Sequence, residues 1–65
     1  MAKYRLVDTY CGEFDVLKVV QADNPIEAQN KLKVAIAQRA WDTDNECWLE
    51  IQCYNAGEWT RVKVY

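Results

Sequence analysis

Histidine and serine are both absent from these 65 residues. Without them, Ser-His-Asp and Cys-His nucleophilic catalysis and imidazole acid–base chemistry are out of reach. The expectation is a protein that is not an enzyme. Cysteine is scarce too, with three residues in no CxxC pair. Such a set does not make the four ligands of a structural zinc site. An odd count in that arrangement fits a reducing compartment better than a disulfide framework. No apolar run approaches the roughly 20 residues of a membrane helix, and the first residues carry no signal-peptide pattern. These features lead us to expect a soluble, cytoplasmic chain with no cofactor and no membrane partner. Only one proline and two glycines occur, against 51% apolar residues, which describes a folded globule rather than a disordered tail.

Positive charge is not in excess either. The net charge of −2 disfavours a generic nucleic-acid binder held by phosphate neutralisation. The negative excess is local: Asp42, Asp44, Glu46 and Glu50 follow one another with no cation between them. At this length the chain makes one domain, residues 1–65, burying only about 60% of the surface its unfolded form exposes.

The clearest local signal is "ADNPIEAQNKL". Asn24 suits a helix N-cap, Pro25 the first helical position, and Glu27 the acidic place of a capping box. Glu27 and Lys31 form an i,i+4 pair in the favourable order. Ala28, Leu32, Ala35 and Ile36 make an apolar stripe, which Val34, Ala37 and Trp41 are expected to widen. A helix is predicted from Pro25 to Ala40 or Trp41.

Past the helix the period falls to two. Cys47, Leu49, Ile51 and Cys53 alternate with Trp48, Glu50, Gln52 and Tyr54, the pattern of a half-buried strand. After the turn Asn55-Ala56-Gly57-Glu58, a second strand places Thr60, Val62 and Val64 opposite Trp59, Arg61, Lys63 and Tyr65. Pairing Tyr54 with Trp59 sets Gln52 against Arg61, Glu50 against Lys63 and Trp48 against Tyr65. The other face then matches Cys53 with Thr60, Ile51 with Val62 and Leu49 with Val64. "KYRLVDTY" and "FDVLKVVQA" read as an N-terminal hairpin around Cys11-Gly12. Lys18 shares the parity of Val20 and Ala22, which predicts a bulge or an edge position. The sum is an α+β fold, β-β-α-β-β: a four-stranded antiparallel sheet with one helix packed on one face.

Three groups of residues invite a functional reading. Cys47 and Cys53 are about 20 Å apart along a strand, too far to share an ion, and are expected in the core; Cys11, in a turn, is expected to be exposed. Asp42, Asp44 and Glu46 have the spacing of half a calcium loop. Cys47 and Cys53, however, stand where glycine and glutamate belong, so no metal site is expected. A solvated turn and an acidic patch meeting a basic partner both fit these carboxylates. The third group is the outer sheet face. One helix covers one side, so Trp48, Tyr54, Trp59 and Tyr65 should be displayed with Arg61 and Lys63 on the other. Exposed aromatic patches of this kind mark interaction surfaces, and cross-strand aromatic pairing alone would also produce one. The expected partner is another protein. A homodimer packing sheet on sheet, and a surface stacking single-stranded nucleic acid, are the alternatives.

With "VQADNPIEA" feeding a helix and "CWLEIQ" leading to "GEW", the chain resembles small phage and mobile-element proteins. In layout it is similar to the β-β-α-β-β type of anti-CRISPR protein. That resemblance implies a phage product that binds a CRISPR effector complex and blocks it, with no residue role to carry over.

Overall fold

The computed structural model describes all residues, 1–65. Strand β1 (Ala2–Asp8) turns through a short 3-10 segment (Tyr10–Gly12) into β2 (Asp15–Ala22). Helix α1 (Pro25–Asp42) crosses to β3 (Leu49–Asn55), which pairs with β4 (Glu58–Val64). All pairings are antiparallel and the sheet order is β2-β1-β3-β4, so β2 and β4 are edges. This is the expected α+β architecture. No helix is long and apolar enough to cross a membrane.

Helix α1 starts where its sequence directs. The Asn24 side chain accepts the Glu27 amide at 2.8 Å, and Pro25 opens the first turn. The returning bond of Glu27 goes to the amide of Asp23 at 3.2 Å, one residue earlier than in the usual capping box. Lys31 then bridges outward, meeting Glu27 at 3.2 Å and donating to the Gln21 carbonyl at 2.6 Å. The helix is thereby tied to the end of β2.

The core is small and lies chiefly on one side of the sheet, although Val7, on the other side, is fully buried as well. Tyr4 and Leu6 of β1, Ala22 of β2, and Leu49 and Ile51 of β3 meet Ala28 and Leu32 of the helix. Ala35, Ile36, Cys47 and Cys53 pack at its margin, and Cys11 is exposed as expected. The wider helix stripe does not form, since Val34 and Trp41 are 78% and 81% exposed. At about 100° per residue both point roughly opposite to Leu32, and Ala37, also exposed, is nearly as far round.

Two bulges shape the sheet. In β2 the register shifts so that Leu6 pairs with Lys18 and Val7 with Val16, leaving Leu17 extra. The parity of Lys18 foretold this, and β2 is an edge as well. In β4, Gln52 pairs with Arg61 but Ile51 pairs with Lys63, so Val62 is the extra residue. The expected pairs from Tyr54–Trp59 to Gln52–Arg61 hold. Those beyond do not: Glu50 lies opposite Val64 rather than Lys63, and Ile51 opposite Lys63 rather than Val62.

Candidate functional site

The helix lies chiefly over β2, with lighter contact to β1 and β3, and covers one side of the sheet. The other side is open and is laid out by the register. One row runs Gln21, Lys3 on β2 and β1 and, beyond them, Tyr54 and Trp59 on β3 and β4. The next runs Val19, Arg5, Gln52, Arg61, and the third Val16, Val7, Glu50, Val64. The alternation of Tyr4 and Leu6 with Lys3, Arg5 and Val7 puts the cations of β1 on this face. The β2 bulge is what brings Val16 to the same side as Val19.

A hydrogen-bonded chain crosses the face. Arg5 Nε donates to Gln52 Oε1 at 2.7 Å, Gln52 Nε2 to Glu50 Oε2 at 2.9 Å, and Arg61 Nε to the same oxygen at 3.2 Å. Glu50 is only 6% exposed and has both neighbours as donors. Aromatic rings frame the chain. Trp59 and Tyr54 meet edge to face at 5.1 Å between centroids. The Arg5 guanidinium lies over the Trp59 ring at 4.2 Å and over the Phe14 ring at 5.0 Å. Phe14 reaches it from the β2 side and Trp59 from the β4 side, so the cation is bracketed. Lys3 Nζ lies 5.9 Å from the centre of the Tyr54 ring.

The structure redistributes the residues expected here. Tyr54, Trp59 and Arg61 are on the open face as anticipated. Lys63 is not: the Val62 bulge reverses parity beyond it and places Lys63 opposite Ile51, on the side of the helix. Tyr65 continues that strand end, donates its amide to the Leu49 carbonyl at 2.9 Å, and has Lys63 Nζ 5.5 Å from its ring. The pair Trp48–Tyr65 is therefore absent. Trp48 precedes β3 and packs edge to face on Tyr10 at 5.4 Å. Glu50 takes Arg61 as its ion-pair partner in place of Lys63. Val64, expected inside, is displayed on the open face at 58% exposure. Lys3, Arg5 and Phe14 were missed. The strict alternation of residues 3 to 7 carried the signal for the first two.

The acidic segment is the helix C-cap. Asp44 and Asn45 adopt left-handed backbone, with φ of 53° and 67°, which aspartate and asparagine tolerate best after glycine. Amides of Thr43, Asp44 and Asn45 return to the carbonyls of Arg39, Trp41 and Ala40, so the last turn is satisfied. Asp42 accepts from Gln38 Nε2 at 3.0 Å, and Asp44 and Glu46 are exposed. The carboxylates of Asp42, Asp44 and Glu46 do not converge on one point.

A second acidic residue has a clear structural task. Asp8, 3% exposed, accepts the amides of Tyr10 at 3.0 Å and Trp48 at 3.1 Å on one oxygen, and Arg39 Nε at 2.9 Å on the other. Burial opposes its ionisation and is the largest single influence. The two amides and the guanidinium together outweigh it and hold the carboxyl below the usual aspartate range. Arg39 also reaches Asp15 at 3.2 Å. This cluster bolts the helix to the end of the sheet opposite Tyr54 and Trp59.

Compared with known proteins, the chain matches no family model, no curated protein and no solved structure.

Proposed function

We propose that the chain is a non-enzymatic protein-binding module whose docking surface is the open sheet face. The observation that carries this is the arrangement of Phe14, Tyr54, Trp59, Val19 and Val64 around an ordered polar row. Exposed aromatic and aliphatic groups with pre-positioned arginines are the composition of binding hot spots. The uncovered side of the sheet supplies the flat area. The acidic turn at Asp42, Asp44 and Glu46 offers a separate patch of opposite charge to a basic region of the same partner. Three unpaired thiols favour a cytoplasmic location.

In its finer form the proposal is a phage inhibitor of the anti-CRISPR kind, and the shared β-β-α-β-β layout supports it. Loss of target cleavage by a CRISPR effector in the presence of the chain would test that form. The general form is tested by immobilising the chain and comparing capture by wild type, Tyr54→Ala and Trp41→Ala. Binding that Tyr54→Ala abolishes and Trp41→Ala preserves is the expected result. Equal capture by all three would refute the assignment of the face.

A stacking surface for single-stranded nucleic acid is the less favoured reading. The rings of Trp59 and Phe14 already hold Arg5, and that of Tyr54 holds Lys3, which occupies the platforms bases would need.

A further inference from the structure

Arg5 is held on the open face by both a hydrogen bond and two aromatic rings, yet its charge is left without a carboxylate. Its Nε is anchored by Gln52, and its guanidinium is bracketed by Phe14 and Trp59. Neither of its terminal nitrogens has a hydrogen-bond partner within the chain, and neither is sealed from solvent. Arg5 makes no ion pair, and neither does Lys3, two residues along the same strand and face. The only carboxylate in the three rows is Glu50, which is nearly buried and already paired with Arg61. The face therefore presents two uncompensated cations beside aromatic rings, on a chain whose net charge is negative.

Resting on the docking surface proposed above, we infer that the Phe14–Arg5–Trp59 clamp is a carboxylate-binding site for an extended acidic segment of a partner protein. The guanidinium edge left free is the two-nitrogen fork that meets a carboxylate with two parallel bonds. Holding Arg5 by ring stacking and by Gln52 lowers the rotamer entropy lost when that fork is used. Lys3 stands about 7 Å further along β1, the spacing of alternate side chains in an extended strand. A segment with carboxylates at alternate positions thus meets Arg5 with one and Lys3 with the next. Its intervening side chains face away, and the rings of Tyr54 and Trp59 flank its backbone. Gln52 acts on the ligand only by positioning Arg5.

The experiment is a titration of the 15N-labelled full chain, following the Arg5 side-chain Nε–Hε signal. The probes are a blocked peptide of alternating aspartate and alanine, its asparagine counterpart, and a short oligothymidylate. The aspartate peptide should shift the Arg5 signal saturably, more weakly as salt is raised, and the asparagine peptide should not. Arg5→Lys keeps the charge but loses the fork; followed by the backbone amide shifts of β1 and β3, recorded in both proteins, it should weaken binding roughly tenfold while leaving the backbone spectrum folded. Gln52→Met should weaken it less, without removing it. Equal affinity in Arg5→Lys would overturn the clamp, leaving only a charge effect. Tighter binding of the oligothymidylate would overturn the carboxylate assignment in favour of nucleic acid. No shift with the aspartate peptide would overturn it outright, whereas the docking face itself stands or falls separately with Tyr54→Ala capture.

Discussion

Replacing Asp8 by alanine should come close to unfolding the protein, although Asp8 belongs to no apolar core. The side chain gathers three elements at one point: the Tyr10 turn, the Trp48 approach to β3, and Arg39 of the helix. Truncation leaves two backbone amides without their acceptor and a guanidinium with only Asp15. An orphaned amide costs about 1–3 kcal/mol when sealed from water. Breaking a buried ion pair costs about 3–5 kcal/mol when the surviving charge stays buried. Here the Arg39 side chain is 31% exposed, so water relieves it and the ion pair contributes only about 1 kcal/mol, with about 2 kcal/mol from the two amides at the lower end of their range. A loss of about 3 kcal/mol follows, against the roughly 3–10 kcal/mol that 65 residues normally supply. Urea denaturation followed by tryptophan fluorescence measures it directly. The pH dependence provides a second readout. The folded carboxyl titrates below its unfolded value, so its contribution is complete above the ordinary aspartate range of about 3.9 and is lost as pH falls through the depressed folded value. Asp8→Asn should flatten that acid limb. A loss below about 1 kcal/mol in Asp8→Ala, with the acid limb unchanged in Asp8→Asn, would refute the bolt.

Three further outcomes follow from the geometry. Ala56 sits at φ 52° in the two-residue turn before Gly57, so Ala56→Asn should stabilise by roughly 0.5–1 kcal/mol in the same denaturation assay. Leu32 is fully buried in a core of seven residues, and Leu32→Ala should cost about 2–4 kcal/mol, whereas Trp41→Ala at 81% exposure should stay within about 0.5 kcal/mol. Burial, and next the Cys53 thiol, raise the Tyr4 hydroxyl above its ordinary value. Its contribution is therefore intact below about pH 10 and lost as pH rises through the folded value, and Tyr4→Phe should flatten this alkaline limb of a pH–stability profile.

The parts of this structure that could be read from the chain are those decided over a few residues. Asn24, Pro25 and Glu27 start the helix through contacts within one turn, so the pattern and the outcome agree. Tyr54–Trp59 pairing was legible because a two-residue turn leaves no other register beside it. Three residues beyond Trp59 the Val62 bulge intervened, and with it Lys63, Val64 and Tyr65 changed sides. A bulge is settled by packing against the whole sheet, and the alternation of Thr60, Val62 and Val64 gives no hint of it. The Asp8–Arg39 bond joins residues 31 apart in sequence and depends on where the helix ends over the sheet. The same holds for Arg5, whose partners Phe14, Gln52 and Trp59 come from three different stretches. The aromatic content of the open face was visible in advance; which cation the rings would hold was not. Val34 and Trp41 were misplaced for a simpler reason, since apolar character outweighed their helical phase.

The claim that the open face receives another protein is tested most directly by photo-crosslinking. A p-benzoylphenylalanine in place of Tyr54, with the same residue in place of Trp41 as control, is irradiated in cells that produce the chain. The expected result is a covalent conjugate with a different protein from position 54 and none from position 41. A conjugate of twice the mass of the chain, or one that forms only from position 41, would contradict it.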